Sequence, residues 1–181
     1  MRWRFILKII GTLIFFFGLT MIFPLAIGLY YHENNVAALL ESMGITVICG
    51  LLLYLVFRND QADVISQREG MAIVAVGWTA VGLFGAVPFF LGDGYFSFTD
   101  AFFESVSGFT TTGASVLTNI EGLSKGLLFW RSFIQWLGGM GIIVLSVAIL
   151  PFLGVGGMQL YKAEVPTPVP DKLSPVSVTR P

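Results

Sequence analysis

Residues 100–115 read DAFFESVSGFTTTGAS, and their reading decides the fold. Phe98, Ala101, Phe102, Ser105, Val106 and Phe109 recur at helical spacing. Ser97 or Thr99 can cap the start, and Asp100 in the first turn favours the positive end of the helix dipole. Roughly eleven residues rising 1.5 Å each cover about 17 Å, half a bilayer. A helix over 97–109 that enters a membrane therefore stops inside it, at Thr110-Thr111-Thr112-Gly113-Ala114-Ser115. Irregular backbone at that depth is tolerated only where protein buries it or water lines it. The stretch reads as a re-entrant loop, with Thr110, Thr111, Thr112 and Gly113 as the candidates for lining a pore.

The flanks supply the membrane. Only 12% of the residues are charged, against about 25% in soluble domains. Uncharged or nearly uncharged stretches at 9–31, 36–57, 71–91 and 127–150 are each long enough to span. The fold class expected is all-α and integral to the membrane, with the lipid bilayer as its surroundings. A net charge of −1 offers nothing to nucleic acid. Cys49 is alone, so no internal disulfide forms, and it reads as a small buried hydrophobe. The first apolar run is span-length with no cleavage site after it, which predicts that it is retained.

Arg2, Arg4 and Lys8 precede the first span, and Arg58 and Arg68 follow the second. The positive-inside rule then predicts a cytoplasmic N-terminus. Pro24 should bend the first span slightly. Tyr30-Tyr31-His32 fit an aromatic belt, with His32 an interfacial histidine rather than a metal ligand. The polar stretch 58–70, RNDQADVISQREG, is expected to be a cytoplasmic loop, with the third span opening at Met71. Gly77, Gly82 and Gly85 along that span suggest close helix packing, and Pro88 with Gly92-Asp93-Gly94 is expected to end it.

In the fourth span Trp130 and Trp136 are expected to mark the outer part. Arg131 either contacts the carboxylates of the re-entrant helix or snorkels to headgroups. Gly138-Gly139-Met140-Gly141 either kinks the helix or packs against a neighbour. Asp100 and Glu104 are four apart and share a face. No nucleophile, base or metal cluster accompanies them, so capping or vestibule charge is expected and no catalytic residue is assigned. From Val165 the tail, VPTPVPDKLSPVSVTRP, is proline-rich and expected to be extended.

A half-helix presents its partly negative C-terminal end to a cation. Selectivity filters replace an ion's hydration shell with backbone carbonyls, and a run of threonines closed by glycine supplies such carbonyls without bulk. Three blocks carry a resemblance: FTDAFFESVSGFTTTGAS, FWRSFIQWLGGMGIIVLSVAILP and GVGGMQLYKAE. With the two leading spans they resemble the Trk/Ktr/HKT superfamily of potassium transporters, in its TrkH-type branch. The resemblance implies two extra leading helices (1–57), a cytoplasmic loop (58–70) and a first span–pore loop–span repeat (71–155). A proline-rich tail (156–181) follows. Thr110, Thr111, Thr112 and Gly113 would form one quarter of a potassium filter, with Thr111 and Thr112 foremost and no cofactor beyond the transported potassium. The resemblance further implies a pseudo-fourfold pore in the bacterial inner membrane, a homodimer of full-length chains and a cytosolic nucleotide-binding regulatory subunit. With one repeat of four, the chain is expected to be the N-terminal part of a longer transporter and not to conduct alone. A non-conducting membrane anchor or interaction module is the alternative.

Overall fold

The structure, a computed structural model, describes residues 2–59, 66–92 and 97–149, excepting the side chains of Gln67 and of residues 145–149. All regular structure among the described residues is helical: α1 (Trp3–Thr20), α2 (Ile22–Tyr30), α3 (Val36–Phe57), α4 (Gln67–Leu91), α5 (Phe98–Phe109) and α6 (Lys125–Ile149). Among the described residues four stretches are long and apolar enough to cross a membrane, Trp3–Tyr30, Val36–Phe57, Arg68–Leu91 and Lys125–Val144. Helix α5 is the short piece between the last two. Residues 1–143 form one compact unit; the second, 144–181, is described only where it continues α6. The expected end of the repeat at 150–155 and the tail at 156–181 lie outside the described residues, as does the Asp93-Gly94 turn.

The helical ladder of the first span is interrupted at one residue near Pro24. The break falls at Met21, with φ −66° and ψ −7°. Pro24 has no N–H for the carbonyl of Thr20, and its ring crowds that carbonyl. The turn tightens instead, with the Met21 N–H reaching Gly18 O at 3.1 Å. Helix α1 lies antiparallel along α3 at backbone contact. A Cβ on Gly11 would sit 2.7 Å from Tyr54 N, and one on Gly50 would sit 2.4 Å from Phe15 N. Lipid tails give helices no hydrophobic reason to associate, so such close van der Waals seams are what hold them.

Helix α4 starts earlier than the polar stretch 58–70 suggests. Ser66 and Glu69 form a capping box, in which Ser66 Oγ accepts the Glu69 N–H and Glu69 accepts the Ser66 N–H. Helix formation thus reaches back to Gln67, and Glu69 also receives Arg2 through Nε, Nη2 and the backbone N–H. Pro88 does not end α4 but sits inside it, three residues before Leu91.

Helix α5 is wedged between α4 and α6. Ser97 caps it in a second capping box with Asp100. Gly82 faces Val106 and Phe102, and Gly85 faces Ser105 and Phe109, so both glycines of α4 make room for α5. Ser105 Oγ donates to Gly82 O at 2.8 Å, and Trp130 Nε1 donates to Gly85 O at 3.0 Å. Trp130 therefore does not mark an interface: it is fully buried in the core with Phe17, Phe89, Phe109 and Ile134. Trp136 is exposed. Of the two readings of the glycine run in α6, packing is the one observed. The helix continues unbroken, and a Cβ on Gly138 would lie 2.0 Å from Phe109 O.

Gly138→Ala is accordingly expected to destabilise the fold by about 2 kcal/mol or more, because the obstacle is backbone and cannot rotate away. Gly44, with nothing within 4 Å of its would-be Cβ, is the control: Gly44→Ala should be neutral or stabilising by about 0.5–1 kcal/mol. Thermal midpoints of the two variants in detergent check this.

Candidate functional site

Helix α5 ends where Phe109 O meets Gly138, near the middle of the 25-residue α6. A helix end leaves its last carbonyls without intrahelical donors, and in lipid no water supplies them. Here the following loop does. Thr111 N–H donates to Gly108 O at 2.9 Å and Thr112 N–H to Ser107 O at 3.0 Å. These are the two bonds of a Schellman motif, with Thr110 as the C-cap and Thr111 in the left-handed position beyond it, φ +56°. Glycine is the usual occupant there. A β-branched residue at positive φ is an outlier held by its surroundings. Gly113 follows with φ +74°, and its N–H also points to Ser107 O, at 3.5 Å.

Those bonds orient the carbonyls. In a planar trans peptide the C=O points opposite to the N–H of the next residue, and no cis bond interrupts the described chain. With the N–H groups of Thr111, Thr112 and Gly113 turned back onto the helix end, the carbonyls of Thr110, Thr111 and Thr112 turn away from it. Thr110 O takes the Thr111 hydroxyl at 2.7 Å. Among the described residues no donor takes the carbonyls of Thr111, Thr112 or Gly113. All four candidate residues, with Ala114, are exposed. The loop is braced from behind by Ser107 Oγ, which donates to Ala114 O at 2.6 Å. It is braced from within by the Thr110 and Thr112 hydroxyls, 2.8 Å apart.

Asp100 and Glu104 part company. Asp100 caps its own helix. Glu104 is 1% exposed and is a junction. It accepts the Val116 N–H at 2.8 Å and the Ser115 hydroxyl, both on the limb leaving the loop, and Arg131 Nε of α6 at 3.1 Å. So Arg131 contacts a carboxylate of the re-entrant helix instead of snorkelling. The partners of Glu104 lie 11 to 27 residues away in sequence; Arg131 is one of the two readings given above, and spacing gives no hint of Ser115 or Val116. Ser107 was missed for the same reason. The Ser66–Glu69 pair had a local signal, the S-x-x-E capping pattern.

The family model described as TrkH, cation transport protein, matches residues 37–179. The chain belongs to that family. It is 49% identical over 177 residues to the Trk system potassium uptake protein TrkH of Halomonas elongata, covering 97% of this chain and 36% of that relative. Against the TrkH of Escherichia coli it is 45% identical over 172 residues, with 94% and 35% covered. The crystal structure of the potassium transporter TrkH from Vibrio parahaemolyticus superposes with a TM-score of 0.81 at 43% identity, over 87% of this chain and 34% of that one. The chain spans about a third of the length of these relatives. The all-helical fold with four candidate spans is thus shared with that transporter structure.

Removing one member of a buried ion pair leaves the other charge uncompensated, at about 3–5 kcal/mol. Arg131 keeps 22% of its side chain in contact with surroundings, so Glu104→Ala should fall at the low end, near 3 kcal/mol. Glu104→Gln with Arg131→Met should cost less than the sum of the single changes. Thermal unfolding of the four proteins in detergent gives the cycle.

Proposed function

We propose that this chain contributes one quarter of a potassium-selective filter to a Trk-type uptake pathway, with Thr110, Thr111, Thr112 and Gly113 as the ion-facing residues. The observation that carries the reading is the peptide geometry: the N–H groups of 111–113 are spent on the helix end, leaving outward carbonyls on an exposed loop. Such carbonyls replace the hydration shell of a monovalent cation. The partly negative C-terminal end of α5 adds to their attraction. A single loop cannot surround an ion, and three more of like geometry complete the ring in a full-length chain. Transport is then passive conduction, with no covalent step and no cofactor.

The setting we propose is the bacterial inner membrane. Arg2, Arg4, Lys8 and Arg58 gather at one end of the bundle, where Lys8 Nζ reaches Arg58 O at 2.9 Å, which supports a cytoplasmic N-terminus. Pairing of full-length chains and a cytosolic nucleotide-binding regulatory subunit extend the family resemblance to partners.

Growth of an uptake-deficient bacterial strain at limiting potassium tests this. The full-length chain carrying this segment is expected to rescue, and residues 1–181 are expected to rescue only beside a fragment supplying the rest. Gly113→Ala should abolish rescue while the protein still reaches the membrane. Its Cβ has room, the nearest atom being Gln135 Nε2 at 4.0 Å, but φ +74° does not suit alanine, at about 1–2 kcal/mol. Normal growth of both Gly113→Ala and the Thr111→Ala/Thr112→Ala double variant would sink the assignment. In that case the loop packs against a neighbour and the chain is an anchor.

A further inference from the structure

Among the described residues only two non-glycine residues have positive φ, Thr111 and His32, the latter at +53°. They occupy the same place in the same motif. The His32 N–H donates to Leu29 O at 3.2 Å and the Glu33 N–H to Gly28 O at 3.0 Å, a second Schellman ending that closes α2. It delivers Glu33 to the start of α6. The Glu33 carboxylate accepts the Lys125 N–H through one oxygen and the Gly126 N–H, at 3.0 Å, through the other. These are the first two N–H groups of α6, which have no intrahelical partner and favour a negative charge. Asn35 Nδ2 donates to Ser124 Oγ beside them. Gly126 makes the fit possible: a Cβ there would lie 2.8 Å from Leu39 Cδ1, 3.2 Å from Pro24 O and 3.4 Å from Glu33 Oε2.

From Gly126 to Arg131 the helix rises about 7.5 Å. Arg131 holds Glu104, and Glu104 holds the Val116 N–H and the Ser115 hydroxyl at the exit of the threonine loop. A rigid turn and a half of helix and one buried ion pair thus connect the loop between the leading spans to the candidate filter.

We propose that Glu33 is a positioning residue for ion selectivity: its carboxylate fixes the height and rotation of the first turns of α6, and through Arg131 and Glu104 the exit limb of the filter. The proposal rests on the filter reading above. Two oxygens on two successive N–H groups define a rotation as well as a distance, which a single acceptor would not.

The experiment measures rubidium uptake, as the potassium tracer, and sodium uptake in deficient cells making the full-length chain that carries this segment. Glu33→Gln keeps the volume and one acceptor but not the charge. Its rubidium-to-sodium uptake ratio is expected to fall about threefold, the factor a helix-end charge is worth. The same change placed on Glu104→Gln should lower the ratio no further, since the path is already cut. A purely structural role would reduce both uptakes in proportion to the protein in the membrane. An unchanged ratio in Glu33→Gln, at whatever protein level, therefore overturns the proposal while leaving the filter reading intact. Full additivity with Glu104→Gln overturns the route through α6. A parent chain that takes up no rubidium overturns the filter reading, and the proposal with it.

Discussion

A helix that stops halfway through a membrane must hand its last carbonyls to something, and the rest of this structure depends on how α5 does so. Lipid offers no donor, and an unsatisfied backbone group costs several kcal/mol there. The donors are the N–H groups of the very loop that follows, on Gly108 O and Ser107 O. Because each peptide is a rigid plane, satisfying the helix end and turning the loop's carbonyls outward are one event. The polar rim needs no separate device. What it needs is a left-handed residue at position 111, and threonine there costs about 1–2 kcal/mol relative to a residue free of the Cβ clash. Strain of that size persists only where packing over-determines it. Thr111 Cγ2 sits 3.7 Å from the place a Cβ on Gly139 would occupy, and Ser107 holds the chain one residue beyond Gly113, at Ala114 O.

That ending also dictates the neighbours. Phe109 O lies so close to Gly138 that no side chain fits between them, and the α4 face toward α5 carries Gly82 and Gly85 for the same purpose. Where helices approach this closely, polar side chains can reach backbone carbonyls across the gap, as Ser105 and Trp130 do on α4. Small residues and hydrogen bonds are the two forces available between helices in lipid, and both are concentrated around α5.

Local rules made much of this legible. The half-helix showed in its length, its Ser97 and Asp100 start and its abrupt threonines, and the spans showed in their uncharged length. Non-local relations stayed hidden. Whether Gly138 kinks or packs depends on what lies opposite, and an isolated run of glycines suits both. Trp130 looked interfacial because tryptophan usually is; burial became affordable only when Gly85 O accepted its N–H. Glu104 resembled a vestibule charge because nothing within four residues pairs with it. Its donors arrive from the returning limb and from α6. Pro24 announced a bend, but the size of the disruption depended on how the turn before it tightened.

The two leading spans look dispensable by composition, since apolar helices with few polar groups suit a plain lipid anchor. Their contacts argue otherwise. At one end Arg2 meets Glu69 at the start of α4, with the carboxylate buried and the guanidinium half exposed. At the other end Glu33 meets the start of α6. Between them Phe17 packs on Phe109 and Trp130, with ring centroids 5.6 and 5.5 Å apart. The leading pair thus touches the first turn of each flanking span and the last residue of the half-helix. Three such points, at both ends and the middle, are enough to define a rigid placement. The threonine loop therefore inherits its position from helices that contribute no atom to it.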